Sequence, residues 1–227
     1  MGLNAAKIKG NGAERIEQPN IEPGTYPGRL VQIIDLGLQP QRPYKGQDKP
    51  PAHEIMLTYE LVDEFMVDKE GNPVEDKPRW ISETLPFHGL FAEKAKSTQR
   101  YFALDPTKAA EGDFAKLIET PVNITIVNNP GKDGKIYDNV ATISTMRAKD
   151  ANNCPPLVNP AKVFDSSAPD VEVFNSLPQW IQDKIKGNLN YEGSALQKLI
   201  EGGKKDKPAP QPKQEVPEEQ VNDDAPY

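Results

Sequence analysis

The sequence predicts a mainly β fold: a five-stranded barrel with one helix between its third and fourth strands, then a short C-terminal helix and a disordered acidic tail. Three observations predict it. Five runs rich in β-branched residues recur between Thr25 and Ser144. One stretch without proline or internal glycine, Gly89 to Leu104, falls between the third and fourth runs. Turn dipeptides such as Pro130-Gly131 and Asp133-Gly134 punctuate the intervals.

The first strand is Thr25 to Gly37, where Leu30, Val31, Ile33 and Ile34 precede a closing glycine. The second, His53 to Val62, puts Ile55, Leu57, Tyr59 and Leu61 on one face by the two-residue strand period. The third is Arg79 to Leu85, reached through an acidic hairpin, Asp63 to Lys77, that turns at Gly71-Asn72-Pro73. A helix over Gly89 to Leu104 follows, ending at Asp105-Pro106, with a second short helix at Phe114 to Ile118. Strands four and five, Val122 to Val127 and Tyr137 to Ser144, flank a glycine-rich basic tip and form a hairpin. The order strand, strand, strand, helix, strand, strand is that of an OB-fold-like barrel.

Past Arg147 the pattern changes. Cys154 to Pro160 has neither period and reads as an extended wrapping segment, and Leu177 to Gly187 reads as an amphipathic helix. Ser176 is its expected N-cap, Pro178 lies in its first turn, and Trp180, Ile181, Lys184 and Ile185 are grouped on one side. The expected organisation is a flexible N-terminus over 1–21, a barrel domain over 22–148, a wrapping segment with one short helix over 149–201, and a disordered tail over 202–227.

Charge is segregated along the chain. The net charge is −7, but Gln214 to Tyr227 holds five acids and no base, so removing those five leaves −2 for residues 1–213. A nearly neutral body can still carry a local basic surface. Composition excludes much else. One cysteine, Cys154, forbids an internal disulfide or a thiolate zinc cluster, and two histidines, His53 and His88, leave little for metal or triad chemistry. Phosphate-loop, dinucleotide, nucleophile-elbow and zincin motifs are missing from the sequence, so it predicts neither an enzyme nor a cofactor. Both histidines read as residues at element boundaries. No apolar run approaches the roughly 20 residues of a membrane span, and Met1 to Pro23 is polar, so a soluble cytoplasmic protein with no membrane partner is expected.

The candidate contacts interleave cations with aromatics, the combination a single nucleic-acid strand requires: charge for phosphates and a ring for a base. The first loop, Gln39 to Pro51, has about thirteen residues and carries Arg42, Tyr44, Lys45 and Lys49. The β-hairpin tip carries Lys132, Lys135 and Tyr137 in the same arrangement. Trp80, beside Arg79, shares a face with Ser82 opposite Ile81 and is either a stacking platform or a cover for the barrel end. Lys94, Lys96 and Arg100 read as the solvated face of the helix. At the terminus, Asp223, Asp224, Pro226 and Tyr227 combine acids with an aromatic anchor and suit a partner pocket with an apolar floor and basic rim.

That terminus, Asp223-Asp224-Ala225-Pro226-Tyr227, resembles the tip of bacterial single-stranded-DNA-binding proteins, where acids precede Ile-Pro-Phe. The body resembles single-stranded-DNA-binding proteins of tailed bacteriophages. The resemblance is carried by Tyr26-Pro27-Gly28-Arg29-Leu30-Val31, Asp35-Leu36-Gly37, Gly46-Gln47-Asp48-Lys49-Pro50-Pro51, Leu57 to Leu61, Pro78-Arg79-Trp80-Ile81-Ser82 and Leu177-Pro178-Gln179-Trp180-Ile181. It covers most of residues 24–190 and implies an OB-fold that coats single strands in phage replication and recombination, in the host cytoplasm. It also implies a tail that recruits replication or recombination proteins. Ala225 and Tyr227 depart from the bacterial tip. A non-enzymatic adaptor whose barrel binds protein is the competing expectation.

Overall fold

The computed structural model describes residues 16–43 and 45–202. The fold is mainly β. Strands β1 (Gly24–Gln39), β2 (Ala52–Val67), β3 (Pro73–Pro86), β4 (Pro121–Pro130) and β5 (Ile136–Thr145) form an open antiparallel sheet in the order β3-β2-β1-β4-β5. Helix α1 (Lys96–Leu104) and a 3-10 turn at Phe114–Leu117 lie between β3 and β4, as the sequence predicts, although α1 is shorter than the expected Gly89 to Leu104. The acidic hairpin is not a separate excursion, because β2 runs on to Val67 and β3 begins at Pro73.

Length lets β1 serve two antiparallel neighbours as well as the short β6 (Lys162–Phe164). Its first half pairs with β4, Gly24 opposite Ile126, and its second half with β2, Gln39 opposite Ala52. The handover is at Gly28, which faces Leu61 and Val122 at once. A side chain has no room there, since a Cβ would lie 2.6 Å from the Glu60 carbonyl oxygen and 2.5 Å from Ile124.

The inner face of the sheet holds the main core. Leu30, Ile33, Ile55, Leu57, Tyr59, Leu61, Ile81, Leu85, Val122, Ile124 and Ile143 pack against Tyr101 and Leu104 of α1 and Phe114 of the turn. The alternation read in β2 is thus the core face. Its other face is buried too, which the alternation did not foretell: Met56, Thr58 and Glu60 are all nearly inaccessible. The C-terminal segment covers them. Here the expectation of a patternless stretch with one helix is corrected. The segment contains α2 (Ala148–Asn153), a sixth strand β6 (Lys162–Phe164) parallel to β1, α3 (Val171–Ser176), α4 (Gln179–Lys186) and α5 (Ala195–Gly202). Phe164, Phe174, Leu177, Ile181, Ile185 and Leu196 meet Ile34, Leu36 and Met56 in a second core on the outer side of β1 and β2. Ser176 ends α3 rather than capping α4, whose N-cap position is Pro178.

Two further expectations are corrected. Arg100 is not on a solvated face. It is 2% exposed, donates to both carboxylate oxygens of Glu83 on β3 at 2.7 and 2.9 Å, and reaches the Ala141 carbonyl of β5. Tyr59 donates to the same carboxylate. Among the described residues β3 and β5 share no ladder pairing, so Arg100 carries polar contact across the gap between the two ends of the sheet. Nor are residues 18–21, expected within a flexible terminus, free of the sheet. The Gln18 amide bonds both the N–H and the carbonyl of Val67, the Ile21 N–H donates to Asp138, and Ile21 enters the main core.

Candidate nucleic-acid interface

The outer face of β3 presents Trp80, Ser82 and Thr84 to solvent, because β2 beside it is roofed by the C-terminal segment while β3 is the sheet edge. Trp80 is 40% exposed and stands opposite Glu60 in the β2–β3 ladder. Its indole N–H donates to Glu60 at 2.9 Å, which fixes the ring's orientation. Glu60 is 1% exposed and also accepts from the Val158 N–H at 2.7 Å and from the Asn159 side chain at 2.7 Å. One buried carboxylate therefore fastens the C-terminal segment to the sheet and sets the tryptophan. It is satisfied by hydrogen bonds from several donors, as a buried charge must be. The ring is half-open, its N–H bonded to the buried carboxylate and 40% of its surface exposed. Cross-strand, Thr58 and Ser82 share a hydrogen bond at 2.9 Å and extend the polar strip.

The remaining predicted contacts fall into two groups at different places on the molecule. Arg42 and Lys49 line a cavity of about 340 Å³ with Gln39, Gln41, Glu54 and Lys184, where β1 ends and β2 begins. Lys45 lies on the same loop with φ of 51°. Tyr44 lies outside the described residues, as do Asp223, Asp224, Pro226 and Tyr227. The second group borders the β4–β5 turn. Lys135 lines a cleft of about 910 Å³ with Lys77, Met66, Val67, Val74 and the N-terminal Ile16 to Gln18. Tyr137 is 47% exposed, and its ring lies over the turn so closely that a Cβ on Gly131 would come within 2.5 Å of it. Its hydroxyl donates to Asp133 at 2.6 Å, and that bond foremost raises the tyrosine pKa. Lys132 sits in this turn. Arg79 is committed elsewhere: it donates to the Pro19 carbonyl at 2.8 Å and pairs with Asp138 at 3.6 Å, holding the N-terminal segment.

Sequence reasoning missed Glu60, which the two-residue strand period puts on the face opposite Tyr59 and Leu61. It also missed Trp180. That residue is not grouped with the buried Ile181 and Ile185 but is 59% exposed.

Away from this face, His53 is more than a boundary residue. Its Nε2 meets Asp35 at 2.6 Å, and Asp35 also accepts from the Ser166 hydroxyl and the Gly37 N–H. The serine bonds the carboxylate rather than the imidazole, so no histidine base activates it. This is a latch between β1, β2 and the segment after β6. The hydrogen bond to Asp35 foremost raises the His53 pKa, against the opposing effect of burial. Burial pushes Asp35 up, but the bonds from His53, Ser166 and Gly37 outweigh it and leave its pKa lowered. Stability from the histidine is therefore complete below its unfolded pKa of about 6.5 and lost as pH rises through its higher folded value. The aspartate's share is present above about pH 3.9 and lost as pH falls through its lower folded value. A His53→Gln variant should melt below wild type at pH 6, with the gap closing as pH rises past neutrality. A gap of constant size from pH 5 to 9 would show that protonation of His53 contributes nothing.

Comparison with protein-family models, with curated proteins and with solved structures finds no match to this chain. Among the described residues no three histidine, cysteine or carboxylate side chains converge to hold a metal ion, and no helix is long and apolar enough to cross a membrane.

Proposed function

We propose that this protein binds single-stranded DNA with little sequence preference, across the outer face of β3 and the two loops that flank it, as a non-enzymatic coat in phage replication and recombination. The observation that carries the reading is Trp80, a half-open indole aimed outward by Glu60 on a sheet edge. The strand order β3-β2-β1-β4-β5, with α1 after β3, supports reading the sheet as an OB-type barrel opened between β3 and β5. In that fold the face of strands two and three, with the loops after strands one and four, takes oligonucleotides. Those loops here are the ones bearing Arg42, Lys45 and Lys49, and Lys132 and Lys135. Bases would stack on Trp80 and on Tyr137, and the cations would neutralise phosphates. The acidic tail would recruit a replication or recombination protein through Tyr227.

The test is fluorescence anisotropy of labelled oligo-dT against duplex of the same length over a salt series. Single-strand affinity should exceed duplex affinity and fall with a log–log slope of roughly −2 to −3, for three or four phosphates at about −0.7 each. Equal affinity for duplex, or a flat salt response, would reject the reading.

A further inference from the structure

Both tryptophans of the chain lie on the side of the sheet that the C-terminal segment covers, yet only Trp80 belongs to the sheet. Trp180 opens α4. Ile181 and Ile185 bury the opposite face of that helix in the second core, which leaves the indole 59% exposed. Lys184 follows Trp180 by one helical turn and so shares its face. Its ammonium pairs with Glu54 at 2.7 Å and lines the cavity that also holds Arg42 and Lys49. The helix is fixed against the loop's base, because Gln39 donates to the Lys184 carbonyl at 3.0 Å and the Leu189 N–H to the Leu38 carbonyl at 2.9 Å. Three cations and one carboxylate thus line one cavity, and the helix that supplies Lys184 carries an exposed indole one turn earlier, in a chain whose net charge is −7.

An anion with a flat apolar appendage fits that juxtaposition. Resting on the proposed single-strand binding, we propose that Trp180 and the Arg42, Lys49 and Lys184 cavity form a second single-strand contact, where a base stacks on Trp180 and its phosphate enters the cavity. The strand then runs from the face of β3 onto the C-terminal segment. This gives α4 a binding role besides covering β1. The occupant is recognised as nucleotide by the pairing of ring and phosphate, and no base edge is read.

With two tryptophans in the chain, each can be isolated. In full-length Trp80→Phe, Trp180 is the remaining tryptophan, and its emission should be quenched along the same isotherm that anisotropy of labelled oligo-dT reports. Trp180→Ala should weaken binding by about 5- to 150-fold, the range for losing one stacked base, with an unchanged salt slope and an unchanged melting temperature. Arg42→Gln should instead make the slope shallower by about 0.7. Wild-type binding with silent Trp180 emission, or wild-type affinity in Trp180→Ala, would overturn this contact and leave the Trp80 face standing. Absence of oligo-dT binding by the wild-type chain at low salt would overturn both.

Discussion

Removing the guanidinium in Arg100→Leu is expected to destabilise the fold by about 3–5 kcal/mol, the usual cost of leaving one member of a buried ion pair uncompensated. Glu83 would be left at 9% side-chain exposure, with Tyr59 as its remaining side-chain donor. At the scale of a 150–250-residue protein this lowers the melting temperature by roughly 6–20 °C. Burial works against the charged guanidinium, but the bond and charge of Glu83 outweigh it, so the Arg100 pKa is raised. The double variant Arg100→Leu with Glu83→Leu should recover much of the loss, because replacing both charges with apolar groups removes the orphaned ion. A melting temperature within 2 °C of wild type in Arg100→Leu would show that the gap between β3 and β5 is held by the apolar core alone. Oligo-dT affinity of the folded fraction should be unaffected, since this pair faces inward.

Trp80→Ala is expected to weaken oligo-dT binding by about 1–3 kcal/mol, or about 5- to 150-fold, the measured range for one stacked base. Stacking releases no counterions, so the salt slope should stay at the wild-type value while the whole line drops. Trp80→Phe keeps a ring but loses the N–H that meets Glu60 at 2.9 Å. It should therefore fall between the two, with a platform present but free to turn. Should Trp80→Ala lower the melting temperature in proportion to affinity, the indole serves packing, and the face of β3 is not the interface.

Much of the fold was legible in the sequence because it depends on local pattern. The β-branched runs became β1 to β5 with ends shifted by a few residues, since alternation over six or more positions marks an element better than its boundary. The stretch from Gly89 to Leu104, free of proline and internal glycine, located α1. Cation and aromatic interleaving identified two loops whose arrangement no local pattern specifies. The structure puts them beside different cavities.

Long-range packing settles the faces that distant residues cover. Periodicity says that Ile55 and Thr58 point opposite ways; it does not say that residues a hundred positions later will roof the polar side and make Glu60 a buried anchor. The same long-range packing turned Arg100 inward, because Glu83 from β3 and Ala141 from β5 converge only when the sheet curls. It turned Trp180 outward, because burying Ile181 and Ile185 against β1 fixes the rotation of α4 and leaves its first residues on the open side. Residue type and spacing were enough to pick out the five long strands and the loops that carry charge, but not the short β6. Burial of an individual polar or aromatic side chain depends on which remote segment packs over it, and that was decided by the assembled sheet.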